Sequence, residues 1–323
     1  MGEEMENILV IGATGQIGSE LTPALRERYG KDSVIGTHLS TEPSGGLGEG
    51  PMEELNLMDK EALAETIEKY EVDSVFNLAA ILSAKGEENP ELAFRTNVIG
   101  FFELLELGLE HQLKRIIIPS SIGVFGPEVP DKNAPNETVL RPTSMYGVTK
   151  VTDELLGNYY YHKFGLDVRG LRLPGIVSSK TLPGGGTTDY AVEVFYGAIR
   201  EGHYTFFVRE DTTLPLMYMP DCVKALIDLA EADLEDLEHH CDFNVSSMSF
   251  TAGELARKIE ERIPDFTYEF EPDERQEIAD SWPDSMDDTP AREEWGWEPN
   301  YGLDDMVDDM ITKLEAKLEK DAV

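Results

Sequence analysis

Four apolar residues, Ile8-Leu9-Val10-Ile11, run directly into Gly12-Ala-Thr-Gly15-Gln-Ile-Gly18, and a helix-forming stretch follows to about Tyr29. A short apolar strand that feeds a glycine-rich turn opening a helix is the start of a βαβ unit, and parallel strands follow from it. Glycines at these three places let the backbone turn tightly and let a pyrophosphate approach amide groups at a helix N-terminus. A glycine triplet alone is weak evidence; its position after the first strand gives it weight. The bland alternative is a plain strand–turn–helix joint.

The alternation continues down the chain. Residues 33–36 read as a second strand, 40–51 (STEPSGGLGEGP) as a polar Gly/Pro loop and 61–70 as a helix. Residues 74–80, 115–119 and 168–173 read as strands, with helices over 96–112 and 148–164. Apolar strands separated by helices predict an α/β fold: a doubly wound parallel sheet covered on both faces. Past about Ile176 the pattern loosens. LPGGGTTDY leads into a helix over 191–200, and an acidic helix begins at about Leu303. The chain of 323 residues has room for a second, smaller lobe. Residues 1–177 are expected to form the dinucleotide-binding domain. Residues 178–323 are expected to form mainly a substrate-binding lobe, with about 205–250 returning to the main sheet.

Charge narrows the function classes. The chain has 27 basic and 64 acidic residues, a net charge of −37. Such a chain repels nucleic acid and anionic membranes, so neither is an expected partner. The acidity is spread out rather than confined to a tail, which points to adaptation to a salty cytoplasm, an ordinary acidic enzyme being the alternative. No run of about 18 apolar residues exists, and MGEEMENILVIGATG lacks a secretory signal's basic start, so a cytoplasmic location is expected. Two cysteines, Cys222 and Cys241, indicate no disulfide framework. No His/Cys cluster has zinc-ligand spacing, so no metal is expected; His239-His240-Cys241 reads as an exposed polar turn.

Tyr146-Gly-Val-Thr-Lys150 places a phenol and an ammonium at i and i+4, on one face of a helix. A lysine so placed favours the phenolate, whose acid otherwise ionises near pH 10, and makes tyrosine a usable base near neutral pH. The spacing is cheap, and Tyr159 with Lys163 repeats it. Strand two ends in His38, where an acid holding the ribose hydroxyls is expected. No Lys or Arg lies between Lys31 and Lys60 to meet a 2′-phosphate. NAD is therefore expected over NADP, with His38 hydrogen-bonding the ribose or packing on adenine, and Glu42 offering a carboxylate from the next loop.

The GxxGxxG spacing together with Tyr-xxx-Lys resembles the extended short-chain dehydrogenases/reductases, which have a Rossmann fold. Over nearly its whole length the chain resembles one family among them, the short-chain L-threonine 3-dehydrogenases related to UDP-galactose 4-epimerase. GATGQIG (12–18), PTSMYGVTK (142–150) and RLPGIV (172–177) carry the broad likeness. GGGTTDYAVEVFY (184–196) and PDERQEIADSWPDSMDDTPAREEWGW (272–297) carry the specific one, with NLAAILSAKGEENP (77–90), PSSIGVFGP (119–127) and LPLMYMPDC (214–222) between.

The resemblance implies NAD-dependent oxidation of L-threonine at C3 to 2-amino-3-ketobutyrate. Tyr146 would be the general base, Lys150 would stabilise it and bind the nicotinamide ribose, and Ser121, 25 residues before Tyr146, would hold the substrate hydroxyl. The residue 25 before Tyr159 is Ala134, which separates the two Tyr-xxx-Lys matches and leaves Tyr159 as helix surface or dimer contact. Cofactor contacts would come from Gly12, Gly15, Gln16, Ile17 and Gly18 in the first turn, and from His38, Asn56 and Leu57 around adenosine. Leu78, Ala79, Ala80, Pro174 and Ile176 would add contacts from later strand ends. Relatives have Asp at the positions of His38 and Asn56, so this chain departs there. Ser83, Thr187, Thr188, Asp189 and Trp282 would line the amino-acid pocket, Asp189 facing the ammonium group. A helix N-cap for Thr188 or Asp189, and plain core packing for Trp282, are the structural alternatives. Residues 101–109 and 155–164 are apolar beyond one stripe, and the helices equivalent to them in relatives pair across a two-fold axis, so a homodimer is expected. Two other functions remain open: a nucleotide-sugar epimerase or dehydratase on the same scaffold, or a non-catalytic NAD(P)-binding protein.

Overall fold

Ile8 to Ile11 are all buried, as are Ser74 to Asn77. A strand covered on both faces has no polar side, which is why it reads as a continuous apolar run. In a computed structural model describing residues 4–39, 45–182 and 184–321, these runs become the middle of a parallel sheet. The strands are β1 (Ile8–Ile11), β2 (Val34–His38), β3 (Met52–Glu54), β4 (Ser74–Asn77), β5 (Arg115–Ser121), β6 (Val168–Leu173), β7 (Gly175–Val177), β8 (His203–Phe206), β9 (Thr213–Tyr218), β10 (Phe243–Asn244), β11 (Met248–Thr251) and β12 (Thr267–Phe270). The helices are α1 (Gly18–Tyr29), α2 (Lys60–Lys69), α3 (Ser83–Glu88), α4 (Pro90–Ala93), α5 (Gly100–Glu110), α6 (Met145–Phe164), α7 (Tyr190–Arg200), α8 (Met219–Glu231), α9 (Ala252–Arg262), α10 (Arg275–Ala279), α11 (Thr289–Trp295) and α12 (Leu303–Asp321).

Seven strands form the main sheet in the order β10-β6-β5-β4-β1-β2-β3, every neighbouring pair parallel. Leu21 and Leu25 of α1 and Leu226 and Leu229 of α8 pack on one face. Leu63 of α2, Leu104 of α5 and Tyr160 of α6 pack on the other. The strand order turns back at β1 and β4, and in such sheets a crevice opens outside the carboxyl ends of the strands flanking that point. A third core, around Tyr190, Phe195, Phe206, Leu255 and Met310, underlies the smaller lobe. There β11-β9-β7 form one sheet and β12-β8 another. The segment carrying Trp282 is tied down on both sides. Met286 bridges Ala134, and the Gln276 amide bonds Thr212 Oγ1 at 3.1 Å.

Several boundaries differ from the sequence expectation. The strand expected over 74–80 stops at Asn77; after Leu78 N–H donates to Ile11 O, the chain turns outward to line the crevice. The helix expected over 96–112 begins its helical course at Pro90, because Asn89 caps it, accepting from Leu92 N–H at 3.1 Å, and proline fits a first helical position. That course passes through a wide π turn at Phe94–Ile99 before α5. Ser144 likewise starts α6 earlier than expected, accepting from Gly147 N–H at 3.1 Å. Gly45–Glu49 form a 3-10 turn within the expected 40–51 loop, and Glu42 lies outside the described residues. The expected exposed turn at His239-His240-Cys241 is wrong. His240 and Cys241 are buried, because the chain is already on the sheet edge there: Gly170 N–H donates to His240 O at 2.7 Å. His240 stacks on Tyr161, and His239 bonds Glu294. Among the described residues, no helix is long and apolar enough to cross a membrane.

Candidate active site

The glycine turn is built to bring backbone close to a ligand. Gly12 has φ +83°, a conformation that L side chains rarely adopt. Its N–H donates to Thr37 Oγ1 and its O accepts from Gly15 N–H, at 3.2 and 3.0 Å. A Cβ on Gly18 would stand 2.2 Å from Gly12 O, so the first turn of α1 packs flat on the loop. Gly18 therefore shapes the loop, whereas Gly12 and Gly15 face the crevice. The crevice continues along Thr37, His38, Leu39, Asn56, Leu57, Leu78, Ala79 and Ala80. His38 Nδ1 is buried there without a hydrogen-bond partner. A tight glycine turn at a helix start and an unpartnered polar nitrogen at the end of β2 fit the diphosphate and adenosine parts of a dinucleotide.

A second cavity shares Leu78 and Ala80 with this groove. Gln16, Ile17, Pro174 and Ile176 wall it on one side, and Ser121, Tyr146 and Lys150 on another. Ser121 ends β5 and its Oγ accepts from Gly123 N–H at 3.1 Å. Gly123 leaves the space between serine and phenol open: a Cβ there would come 3.2 Å from Tyr146 Cδ1 and 3.5 Å from Ser121 Oγ. Gly147 lets α6 approach, since its Cβ would collide with Gly123 O at 2.1 Å. Lys150 Nζ sits 5.8 Å from the centroid of the Tyr146 ring. α3 steadies this end of the helix, Glu87 Oε1 accepting from Met145 N–H at 2.7 Å.

The smaller lobe closes the cavity with Thr187, Thr188, Asp189 and Trp282, and α3 adds Ser83. Thr187 Oγ1 is buried without a partner. Asp189 does not cap α7 with its side chain. Its Oδ2 accepts from Gly185 and Gly186 N–H at 2.9 and 2.7 Å, tying the glycine loop to the helix start. Burial pushes the Asp189 carboxyl up to about 6, and those two backbone donors hold it lower than burial alone would. Tyr159, by contrast, is exposed on the outer surface of α6.

A family model for NAD dependent epimerases and dehydratases matches residues 8–246. The chain belongs to the NAD dependent epimerase/dehydratase family. An uncharacterized epimerase/dehydratase of Staphylococcus haemolyticus is 43% identical over 315 residues, 97% of this chain and 99% of that protein. The L-threonine dehydrogenase of Clostridium difficile matches in structure with TM-score 0.94 and 44% identity, covering 98% of this chain and 99% of that one. A monomeric L-threonine 3-dehydrogenase from a metagenome matches with TM-score 0.93 and 42% identity, covering 96% and 99%. The doubly wound sheet is that of the extended short-chain dehydrogenases/reductases, and NAD is the cofactor, both as expected from sequence.

Membership in this family does not explain every residue that lines the two cavities. Sequence reasoning missed Ser120, Thr37, Thr96 and Gly175. Three of these lie at or beside strand ends (Ser120 in β5, Thr37 in β2, Gly175 at the start of β7), a signal available once the strands are drawn. Thr96 lies inside the π turn, which nothing in the sequence announced.

Proposed function

We propose that this protein oxidises L-threonine at C3 to 2-amino-3-ketobutyrate with NAD. The observation that carries the reading is the convergence of Ser121, Tyr146 and Lys150 with Ser83, Thr187, Thr188, Asp189 and Trp282 around one cavity. Threonine is small and zwitterionic, and this lining is matched to it. Ser83, Thr187 and Thr188 offer hydroxyls to the carboxylate. Asp189 Oδ2 is taken by backbone amides, which leaves Oδ1 for the ammonium group. Trp282 covers the site. Lys150 is the single cation among the described residues lining the cavity, which disfavours a nucleoside-diphosphate sugar.

Residues 12–18, His38, Asn56, Leu57 and 78–80 would hold NAD, which supplies the acceptor for the hydride that leaves C3. Tyr146, as phenolate, takes the proton of the 3-hydroxyl onto its oxygen while the C3–O bond becomes a carbonyl. Ser121 donates to that oxygen and fixes its direction. Lys150 holds the phenolate by charge. Residues 1–177 then serve the cofactor and 178–323 mainly the substrate. Exposed Phe102, Leu155, Tyr159 and Phe164 on α5 and α6 make a homodimer our reading of its assembly.

The test is nicotinamide absorbance with NAD and L-threonine, L-serine or L-allo-threonine, alongside product analysis with UDP-glucose, whose epimerisation returns the hydride and leaves no net NADH. L-threonine should be oxidised fastest. Tyr146→Phe should lose at least about 100-fold in kcat while NADH still binds, and Tyr159→Phe should keep full activity. Turnover of UDP-glucose without threonine oxidation, or equal losses in the two variants, would overturn the reading.

A further inference from the structure

Tyr146, Lys150 and Asp153 follow one another down a single face of α6, at i, i+4 and i+7. Lys150 Nζ lies 3.5 Å from Asp153 Oδ2, and both side chains are only 6% exposed. Asp153 Oδ1 is buried and has no hydrogen-bond partner. The same ammonium group lies 5.8 Å from the centroid of the Tyr146 ring. One buried cation is thus near both a carboxyl group and the phenol that has to ionise.

We propose that Asp153 is a positioning residue that competes with the Tyr146 phenolate for the charge of Lys150, and so sets the pH at which Tyr146 becomes a base. This rests on Tyr146 and Lys150 acting as described above. The other charged groups nearby are already committed. Glu154 on the same helix is bound by Arg172 of β6 and by Ser120 of β5. The segment before β10 presents the Cys241 thiol, which burial, reinforced by Asp153 among other acids, pushes well up and keeps neutral. The π turn presents Asn97, uncharged and bonded to Thr149.

Burial pushes Asp153 up to about 7, with Lys150 drawing it back and Glu154 adding to the rise. Its charge therefore changes close to neutral pH. Below that point the carboxyl is neutral, and Lys150 answers to the phenol alone. Above it the carboxylate engages Lys150, and ionisation of the phenol meets a cation already partly neutralised. A neutral residue at 153 imposes the low-pH arrangement at every pH, so the phenolate forms more readily.

The experiment is an ultraviolet titration of phenolate in the protein without substrate. Subtracting the Tyr146→Phe curve isolates Tyr146, and the same subtraction is made in the Asp153→Asn background. The Tyr146 midpoint should fall by about one pH unit in Asp153→Asn, the size expected for removing one neighbouring charge. Asp153→Ser, also neutral, should do the same, and Asp153→Glu should leave the midpoint near the wild-type value. The acid limb of kcat/KM for L-threonine should move down in parallel, with NADH affinity changed less than about threefold. A midpoint that stays or rises in both neutral variants overturns the proposal, because a purely structural counter-ion would change stability and leave the phenol unmoved. If no threonine is oxidised, the functional reading fails, and the phenolate titration still decides this one.

Discussion

Glu154 offers the sharpest test of what holds α6 in place. Its side chain and that of Arg172 are each 3% exposed. The guanidinium binds it bidentately, Nε to Oε1 at 2.9 Å and Nη2 to Oε2 at 2.8 Å. Glu154→Ala leaves Arg172 with the Asn136 carbonyl at 2.8 Å and Asn244 Oδ1 at 3.4 Å, and without its ion-pair partner; Asp242 and Glu137 act on it by charge alone. Stranding a buried charge in this way costs about 3–5 kcal/mol, whereas replacing both partners by apolar residues of similar size is often neutral or favourable. A folded chain has only about 5–15 kcal/mol in all, so the single substitution removes a large share of it. Urea unfolding followed by circular dichroism, with equal slopes, reads the loss. Glu154→Leu with Arg172→Met should be more stable than Glu154→Ala alone. Because Glu154 lies on α6 and its partner Ser120 adjoins Ser121, kcat should fall in the single variant even well below its unfolding midpoint. A loss under about 1 kcal/mol, or a double variant no better than the single, would refute the argument.

Asp189 has a pH signature. Its carboxyl is raised by burial from its ordinary value to about 6, so the stability it contributes is full below about pH 4 and is lost as pH rises through 6. Relative to Asp189→Asn, the wild type should lose at most about 3 kcal/mol between pH 4 and 7; a constant difference in unfolding free energy contradicts this. At the end of β2, kcat/KM should favour NAD over NADP, more so in His38→Asp and less so or reversed in His38→Arg. A wild type preferring NADP means that His38 was misread. Leu155 and Tyr159 are 65% and 54% exposed on α6, and light scattering should give a dimer that Leu155→Glu dissociates; a stable wild-type monomer counts against it. With a net charge of −37, the melting temperature should rise with KCl, and a flat response would sink the link between surface acidity and salt.

The parts legible in the sequence were those whose meaning is local. The strand before Gly12 and the spacing of Tyr146 to Lys150 are set by backbone periodicity, and the structure places them as read. Thr187, Thr188 and Trp282 share a cavity with Tyr146 although far apart in the chain, and only resemblance to a family could bring them together beforehand. What escaped depended on tertiary surroundings. The helical course expected from residue 96 starts at Pro90, where Asn89 caps it. His239-His240-Cys241 reads as polar, yet it is covered because it runs onto the edge beside β6. Asp153 looks like any acid in an acidic chain until burial against Lys150 sets it apart.

The way β10 and α8 complete the main sheet has a consequence for anyone wishing to re-engineer the molecule. Both come from beyond residue 177, yet β10 pairs with β6, and α8 lies over the face that Leu171 and Leu173 share. A fragment cut at 177 would bare that face and leave the backbone edge of β6 open, an invitation to aggregation. The halves are therefore not exchangeable cassettes. A different substrate range would have to be introduced by grafting short stretches, such as 184–189 and the Trp282 segment, into an otherwise intact chain.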